Sequence, residues 1–461
     1  MKELGKFAEI WMKNYGMIGT ADYTAGEYVV YDRHINLKQK DKECTMKANW
    51  SGHHQFQATT IHHPTSVAEI QAIVRAATRC RVVGSGHSFN DIADTTVDLI
   101  ALDLYGFPPI LDDLNGTVTV PGSMRYGHLL TFLAPTKWAL HNTASLPHIS
   151  VAGTIATATH GSGVHNKNLA TAVIAMDIVR ADGTLVQVSA ASHGDAFNGM
   201  VVHLGALGVV TSVTLQLVPR FDMRQDLYLD LPFATAMAHF DDIMSASYSV
   251  SLFTTWQGDS IEQVWRKSQP HEIADAPQSW HGATAATRPM HPIASMSADP
   301  CTSQMGEIGG WHERLPHFRM EFTPSNGDEL QTEYFVDRRD AVLAIQAVRT
   351  IKDRIAPVLF ISEIRTVAAD QLWLSMNYER DSVALHFTWK NMWPAVHQVI
   401  SQVEAVLAPF APRAHWGKLF NLPSTHIRAV YPRMYDFLDL RAQWDPQGKF
   451  INHWMHQTFD V

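Results

Sequence analysis

A turn of small residues follows three strand formers: Arg81-Val82-Val83, then Gly84-Ser85-Gly86-His87-Ser88-Phe89-Asn90. A glycine turn after a strand brings backbone N–H groups close to a phosphate. The third glycine of the dinucleotide fingerprint is missing, and no Gly-Lys-Ser/Thr follows, so neither common phosphate loop is present. A purely structural turn is the other reading. His87 puts a bulky imidazole there, as a hydrogen-bonding group or a covalent attachment point. A second stretch runs Ala144-Ser145-Leu146-Pro147-His148-Ile149-Ser150-Val151-Ala152-Gly153-Thr154. It continues through Thr157-Ala158-Thr159-His160-Gly161-Ser162-Gly163. So many small and hydroxylic residues can lay donors along a phosphate-bearing cofactor.

Two later triplets carry charge: Glu363-Ile364-Arg365 and His386-Phe387-Thr388. On strands, period two puts Glu363 and Arg365 on one face, and His386 and Thr388 on one face of theirs. In the right register the four side chains meet and can bind a polyhydroxylated substrate. His386 is then the base for an alcohol proton, and Arg365 stabilises developing negative charge. A solvated, salt-bridged sheet face is the plain alternative. Lys418, in His415-Trp416-Gly417-Lys418, either snorkels at the surface or supplies charge at a buried anionic site. Oxidising an alcohol needs a proton acceptor and a hydride acceptor on opposite sides of one carbon. No side chain accepts hydride, so a cofactor must. The 25 histidines include the pairs His53-His54 and His62-His63 but no HExxH spacing, so no metal site is expected.

The elements that position these residues read as an α+β chain. A strand at Gln55–Ile61 leads to Ser66 and Glu69, a capping box. A helix carrying Val67, Ile70, Val74 and Ala77 ends near Cys80, and a strand enters the glycine turn. Strands follow at Thr117–Pro121, between Ala172 and Val188 with an Asp182-Gly183 turn, and at Val209–Leu217. Beyond Pro219, period-two runs occupy Tyr248–Trp256, Phe318–Phe322, Glu333–Val336, Ile361–Thr366 and Val383–Trp389. Helical patterns occupy Ala341–Ile351 and Trp393–Leu407. This predicts an antiparallel sheet flanked by helices. Residues 257–310 show weak periodicity and read as a long loop region.

The 461 residues suggest two to three domains, and 46 % apolar composition supports a large core. A net charge of −9 argues against nucleic acid as partner. No apolar run reaches the ~18 residues of a membrane span. Cys44, Cys80 and Cys301 are widely spaced, which predicts reduced thiols and a cytoplasmic location. Residues 1–49 read as an N-terminal extension, with Phe7, Ile10, Trp11 and Tyr15 on one side of a short helix.

Together the motifs resemble those of the alditol (xylitol) oxidases of the vanillyl-alcohol-oxidase flavoprotein family. The glycine turn, the Ala144–Gly153 stretch and the Thr159–Gly163 loop match. So do Gly205–Val210, Leu315–Arg319, Arg365–Asp370, His386–Trp389, His415–Lys418 and Asp445–Phe450, in family order from about Asn49 to Phe459. The resemblance implies an FAD-binding domain at 50–218, a substrate (cap) domain at 219–418 and a C-terminal return at 419–461. It implies a covalent bond from His87 to the flavin 8α carbon. Val82, Val83, Gly84, Ser85, Gly86, His87, Ser88, Ser145, Ser150, Gly153, Thr157, Ala158, Thr159, His160, Val210 and His415 would line the FAD. Ser145, Glu363, Arg365 and Thr388 would take the substrate hydroxyls. His386 would remove the hydroxyl proton, and Lys418 would support the reduced flavin. The partners implied are a polyol and O2, with the protein a monomer. The alternatives are an aldonolactone oxidase or dehydrogenase, and a non-catalytic sugar-binding flavoprotein. The first 47 or so residues and segment 257–310 match the family poorly.

Overall fold

A computed structural model describes residues 47–272, 276–322 and 328–460. The expected N-terminal helix and Cys44 lie outside these residues. The sheets and helices described all belong to one unit, Ala48–Val461.

Three short strands form a parallel sheet in the order Thr60–His62, Asp98–Ala101, Cys80–Val83. The connecting helix is Val67–Ala76. Ser66 Oγ accepts from Glu69 N–H, and the Glu69 carboxylate accepts from Thr65 N–H at 2.6 Å. The helix buries Ile70 and Val74 and stops four residues before Cys80, which opens the next strand. The first strand is shorter than the expected Gln55–Ile61. Asp94 binds the His54 ring and Gln57 N–H at 2.9 Å each, so side-chain bonds replace a ladder there.

An antiparallel sheet comes next, ordered Ile110–Asp112, Thr117–Pro121, Val209–Gln216, Val173–Val179, Leu185–Ser189. Gly183, at φ 78°, turns the last hairpin as the Asp-Gly pair predicts. The core beneath it joins Val118, Val120, Ile155, Ile178 and Val213 to Ile427, Tyr431, Phe437 and Met455, which come from near the C-terminus. Arg81, 3 % exposed, ties these parts together by donating to the carbonyls of Leu204, Gly205 and Phe450.

The third sheet has ten strands and is the platform of the site. Its central run is Asp222–Pro232, Ser260–Ser268, Ser249–Thr254, Leu359–Val367, Ser382–Lys390, Glu329–Asp337, all antiparallel neighbours. One face carries Leu252, Val264, Tyr334, Ile364, Leu385 and Phe387. These pack with Ile345, Val348, Val396, Ile400 and Val403 of the helices Ala341–Arg349 and Trp393–Leu407. Each such fully buried apolar side chain contributes about 1.5–3 kcal/mol.

Two expectations fail here. Segment 257–310 is not a long loop, because Ser260–Ser268 lies inside the sheet. Its polar residues Gln263, Arg266 and Lys267 are all buried, which hid the pattern. Phe318–Phe322 forms no strand. Among the described residues its only bridge joins Phe318 to Cys301, and His317 and Phe318 N–H both donate to Ser145 O instead.

Candidate active site

The glycine turn is fixed from three sides. Gly86 sits at φ 67°, where only glycine is unstrained. Trp50 N–H donates to Gly86 O at 2.8 Å, and the Trp50 ring stacks on His87 with centroids 5.3 Å apart. Asn90 Nδ2 donates to the carbonyls of Trp416 and Lys418 at 2.8 Å each, so the turn and the Lys418 loop are one construction. Across the turn, Ser150 N–H donates to Ser85 Oγ at 3.0 Å.

A cavity runs from this turn to the face of the ten-stranded sheet opposite its helices. It is lined by Val82, Val83, Gly84, Ser85, Gly86, His87, Ser88, Ser150, Gly153, Thr157, Thr159, His160, Val210 and His415. Ser145, Glu363, Arg365, His386, Thr388 and Lys418 line it as well. Of the residues expected to contact cofactor or substrate, Ala158 is the one that does not line it. It is fully buried at φ 52° and turns the chain between Thr157 and Thr159, which do.

Strand register builds the sheet end. Glu333, His386, Glu363 and Phe253 stand side by side on four neighbouring strands. Gln331, Thr388 and Ile361 form the adjoining row, and Phe335, Ala384, Arg365 and Ser251 the row on the other side. The carboxylate, guanidinium, imidazole and hydroxyl expected from two triplets therefore do meet.

Sequence reasoning missed the centre of this group. Glu333 is 1 % exposed and receives Arg365 Nη2 at 2.5 Å and Lys418 Nζ at 2.7 Å, with His160 Nε2 at 3.3 Å. Burial would raise its carboxyl, but Lys418, Arg365 and His160 outweigh that and hold it well below the usual carboxylate range. Burial would raise Glu363 too. Arg365, His317 and His386 hold it low instead. The signal available was the alternation Glu333-x-Phe335 on the expected strand Glu333–Val336. His160, Glu333 and His415 present ligand atoms within 4.8 Å of one another, as a metal site would. Glu333 is already committed to two cations, so a metal would have to displace them.

His386 is held neutral. Burial and the Lys418 charge drive its pKa well below the ordinary value, against the pull of Glu333 and Glu363. Gln331 Nε2 donates to Glu329 Oε1 at 2.6 Å, so Gln331 Oε1 faces His386 Nε2 at 3.0 Å and accepts from it. That leaves Nδ1 as the unprotonated ring nitrogen. His87 is neutral as well: burial, then His148 and Arg125, push it down to about 3.

The site has room and partners for a large polar ligand. Five buried nitrogens of its lining, Arg81 Nε, His160 Nε2, His203 Nε2, His291 Nε2 and Arg365 Nε, lack a hydrogen-bond partner in the protein. Arg365 Nε lies 3.6 Å from Glu363 Oε1, too far for a hydrogen bond. Buried donors without partners are rare and point to a ligand. A cradle of backbone and hydroxyl groups facing a base and two cations fits a flavin dinucleotide with an alcohol beside it.

Comparison with known proteins agrees. Residues 58–189 match the model of an FAD binding domain, and residues 326–458 match that of D-arabinono-1,4-lactone oxidase. An alditol oxidase of Streptomyces sp. is 44 % identical over 90 % of this chain and 99 % of its own. An L-gulono-1,4-lactone dehydrogenase of Mycobacterium tuberculosis is 30 % identical over 89 % of this chain and 98 % of its own. A solved structure of a solvent-stable cholesterol oxidase superposes with a TM-score of 0.72, covering 90 % of this chain and 97 % of that one, at 14 % identity. No helix among the described residues is long and apolar enough to cross a membrane. The chain belongs to the alditol oxidase family of FAD-dependent oxidoreductases, an α+β flavoenzyme of the vanillyl-alcohol-oxidase type with a PCMH-type FAD-binding domain.

Proposed function

We propose that this protein oxidises the terminal primary alcohol of an alditol of the xylitol or sorbitol class to the aldose, with O2 reduced to H2O2. The observation that carries this reading is the row Glu333–His386–Glu363 with Arg365 and Lys418 against it. It occurs in a chain 44 % identical to an alditol oxidase. FAD, when bound, would supply the hydride acceptor and the route of electrons to oxygen.

The chain's own residues do the rest. Val82 to Ser88, Ser150, Gly153, Thr157 to His160, Val210 and His415 hold the cofactor, Ala158 by shaping the backbone. Ser145, Glu363, Arg365 and Thr388 take the substrate hydroxyls. His386 removes the hydroxyl proton, and its neutral form is the one competent to do so. Arg365 stabilises the negative charge that develops on the substrate oxygen, and Lys418 would support the reduced flavin electrostatically. His87 is the residue bonded to the flavin; a neutral imidazole keeps the lone pair that such a bond uses. Two domains, 50–218 with 419–461 and 219–418, enclose the site. Cys80 and Cys301 are buried free thiols, which supports a reducing, cytoplasmic compartment.

The test is an anaerobic absorbance titration of the purified protein with xylitol. Bleaching of the oxidised flavin bands, with H2O2 formed on admitting air, is the expected result. Bleaching by an aldonolactone alone would shift the assignment to the lactone reading, which the match of residues 326–458 favours. Bleaching by neither would leave a non-catalytic flavoprotein. His87→Ala should release its flavin on acid precipitation, and flavin that stays in the pellet would refute the attachment.

A further inference from the structure

Glu363 is backed by a chain of polar groups leading away from the cavity. Its Oε1 lies 2.8 Å from His317 Nε2. The other ring nitrogen, His317 Nδ1, lies 2.9 Å from Lys267 Nζ. Lys267 is 1 % exposed, and Nζ also reaches Leu315 O at 2.5 Å and Pro316 O at 3.0 Å. All three atoms around Nζ are acceptors, and an ammonium has three N–H groups and no lone pair.

Burial pushes Lys267 down to about 7, against the upward pull of the Glu363 carboxylate. With Lys267 as the ammonium, that count fixes the protons of the chain. Lys267 donates to His317 Nδ1, so Nδ1 carries the lone pair. The ring hydrogen then sits on Nε2 and points at Glu363, which accepts as a carboxylate. Burial and the Lys267 charge push His317 down to about 4, so the ring carries one hydrogen, not two. Phe253 and Trp265 stand edge-on to the ring, with centroids at 5.8 and 5.1 Å, and prevent it from turning over.

We infer that Lys267 and His317 are positioning residues that lock Glu363 as an obligate acceptor for a substrate hydroxyl. This rests on the polyol reading and sharpens it. The substrate atom at Glu363 must be an O–H donor. An ether, carbonyl or ring oxygen there would set lone pair against lone pair, with no proton available in the chain to relieve it.

The test compares His317→Gln with His317→Leu in the holoenzyme, with xylitol as substrate. A glutamine amide can reproduce both bonds: its NH2 donates to Glu363 and its C=O accepts from Lys267. Leucine reproduces neither. His317→Gln should keep KM within about threefold of the parent. His317→Leu should raise KM roughly 10- to 100-fold, the cost of unpaired buried polar groups, with a smaller change in kcat. Lys267→Met should raise KM in the parent and much less in the His317→Gln background, where the amide still donates to Glu363 unaided. Equal KM values for His317→Gln and His317→Leu would overturn the inference. So would a Lys267→Met penalty that is the same in both backgrounds.

A second measurement is independent of turnover. In 15N-histidine-labelled protein, the resonances lost in His317→Gln should show a protonated Nε2 and a bare Nδ1. The opposite tautomer would overturn the proton assignment. A parent enzyme that xylitol does not reduce would overturn the functional reading instead, and this spectrum would still decide the tautomer.

Discussion

One wall of the cavity, residues 82–88 and 145–160, offers backbone groups, hydroxyls and small side chains. The other, the ten-stranded sheet with the Lys418 loop against it, offers Glu333, Glu363, Arg365 and Lys418, long side chains bound into ion pairs, with His386 among them. The first wall works by close approach and tolerates little added volume. The second works by charge balance, and tolerates isosteric change only where the charge count survives. Variants that remove charge should therefore damage the sheet wall most, and variants that add a methyl should damage the turn wall.

The largest effect is expected at His386. His386→Ala should slow anaerobic flavin reduction by about 10²–10⁴-fold, the usual worth of a positioned general base, while the flavin content stays that of the parent. A variant reduced at the parent rate would remove His386 from its role. Because its folded pKa is depressed, the parent should lose rate to His386 protonation only well below pH 6.5. An inflection at the ordinary histidine value would contradict the burial argument.

Glu333 makes the charge-balance side of the comparison quantitative. Glu333→Gln leaves Arg365 and Lys418 facing each other without their shared carboxylate. Breaking one partner of a buried pair typically costs about 3–5 kcal/mol, so the thermal midpoint should fall clearly. The pH dependence supplies the sign. A carboxyl whose folded pKa lies below its unfolded value stabilises the protein above about pH 4.5. That contribution is lost progressively as pH falls toward the folded value. The parent should therefore lose stability more steeply than Glu333→Gln below pH 4.5. Parallel acid limbs would mean that Glu333 is not the carboxylate that the cations hold.

The two walls also differ in how far they can be read from sequence. The turn wall is local: Gly84 to Asn90 and Ser145 to His160 carry their spacing and small size within two short stretches. On the sheet wall, period two was enough to put Glu363 with Arg365 and His386 with Thr388, and strand pairing then joined them. Gln331, Glu333, His317 and Lys267 were not legible as site residues. The strand Glu329–Asp337 is buried on both faces apart from its last residue, so its acid and amide did not read as facing anything. Lys267 sits in a strand whose charged residues mimic a surface segment, and Glu363, which it reaches through His317, is 96 positions away. Neither buried charge makes sense until register supplies the opposite one.

The smallest expected effect tests close approach. A Cβ on Gly84 would lie 2.1 Å from Ser150 Oγ and 3.0 Å from Ser150 Cβ. Ser150 cannot retreat as a whole. Its N–H is bonded to Ser85 Oγ, and its carbonyl accepts from Thr154 N–H and from Thr154 Oγ1 at 2.7 Å. Gly84→Ala should therefore cost about 1–3 kcal/mol, the usual range for overpacking, read as a lower thermal midpoint. Ser150→Ala alone removes only a hydroxyl and should cost less. Combined with Gly84→Ala it deletes the 2.1 Å contact and leaves the 3.0 Å one, so the double variant should recover a large part of the loss. Such coupling is what contact between two sites predicts. Additive losses would mean that the turn yields elsewhere, and that its shape is set by Trp50 and Asn90 and not by the approach of Ser150.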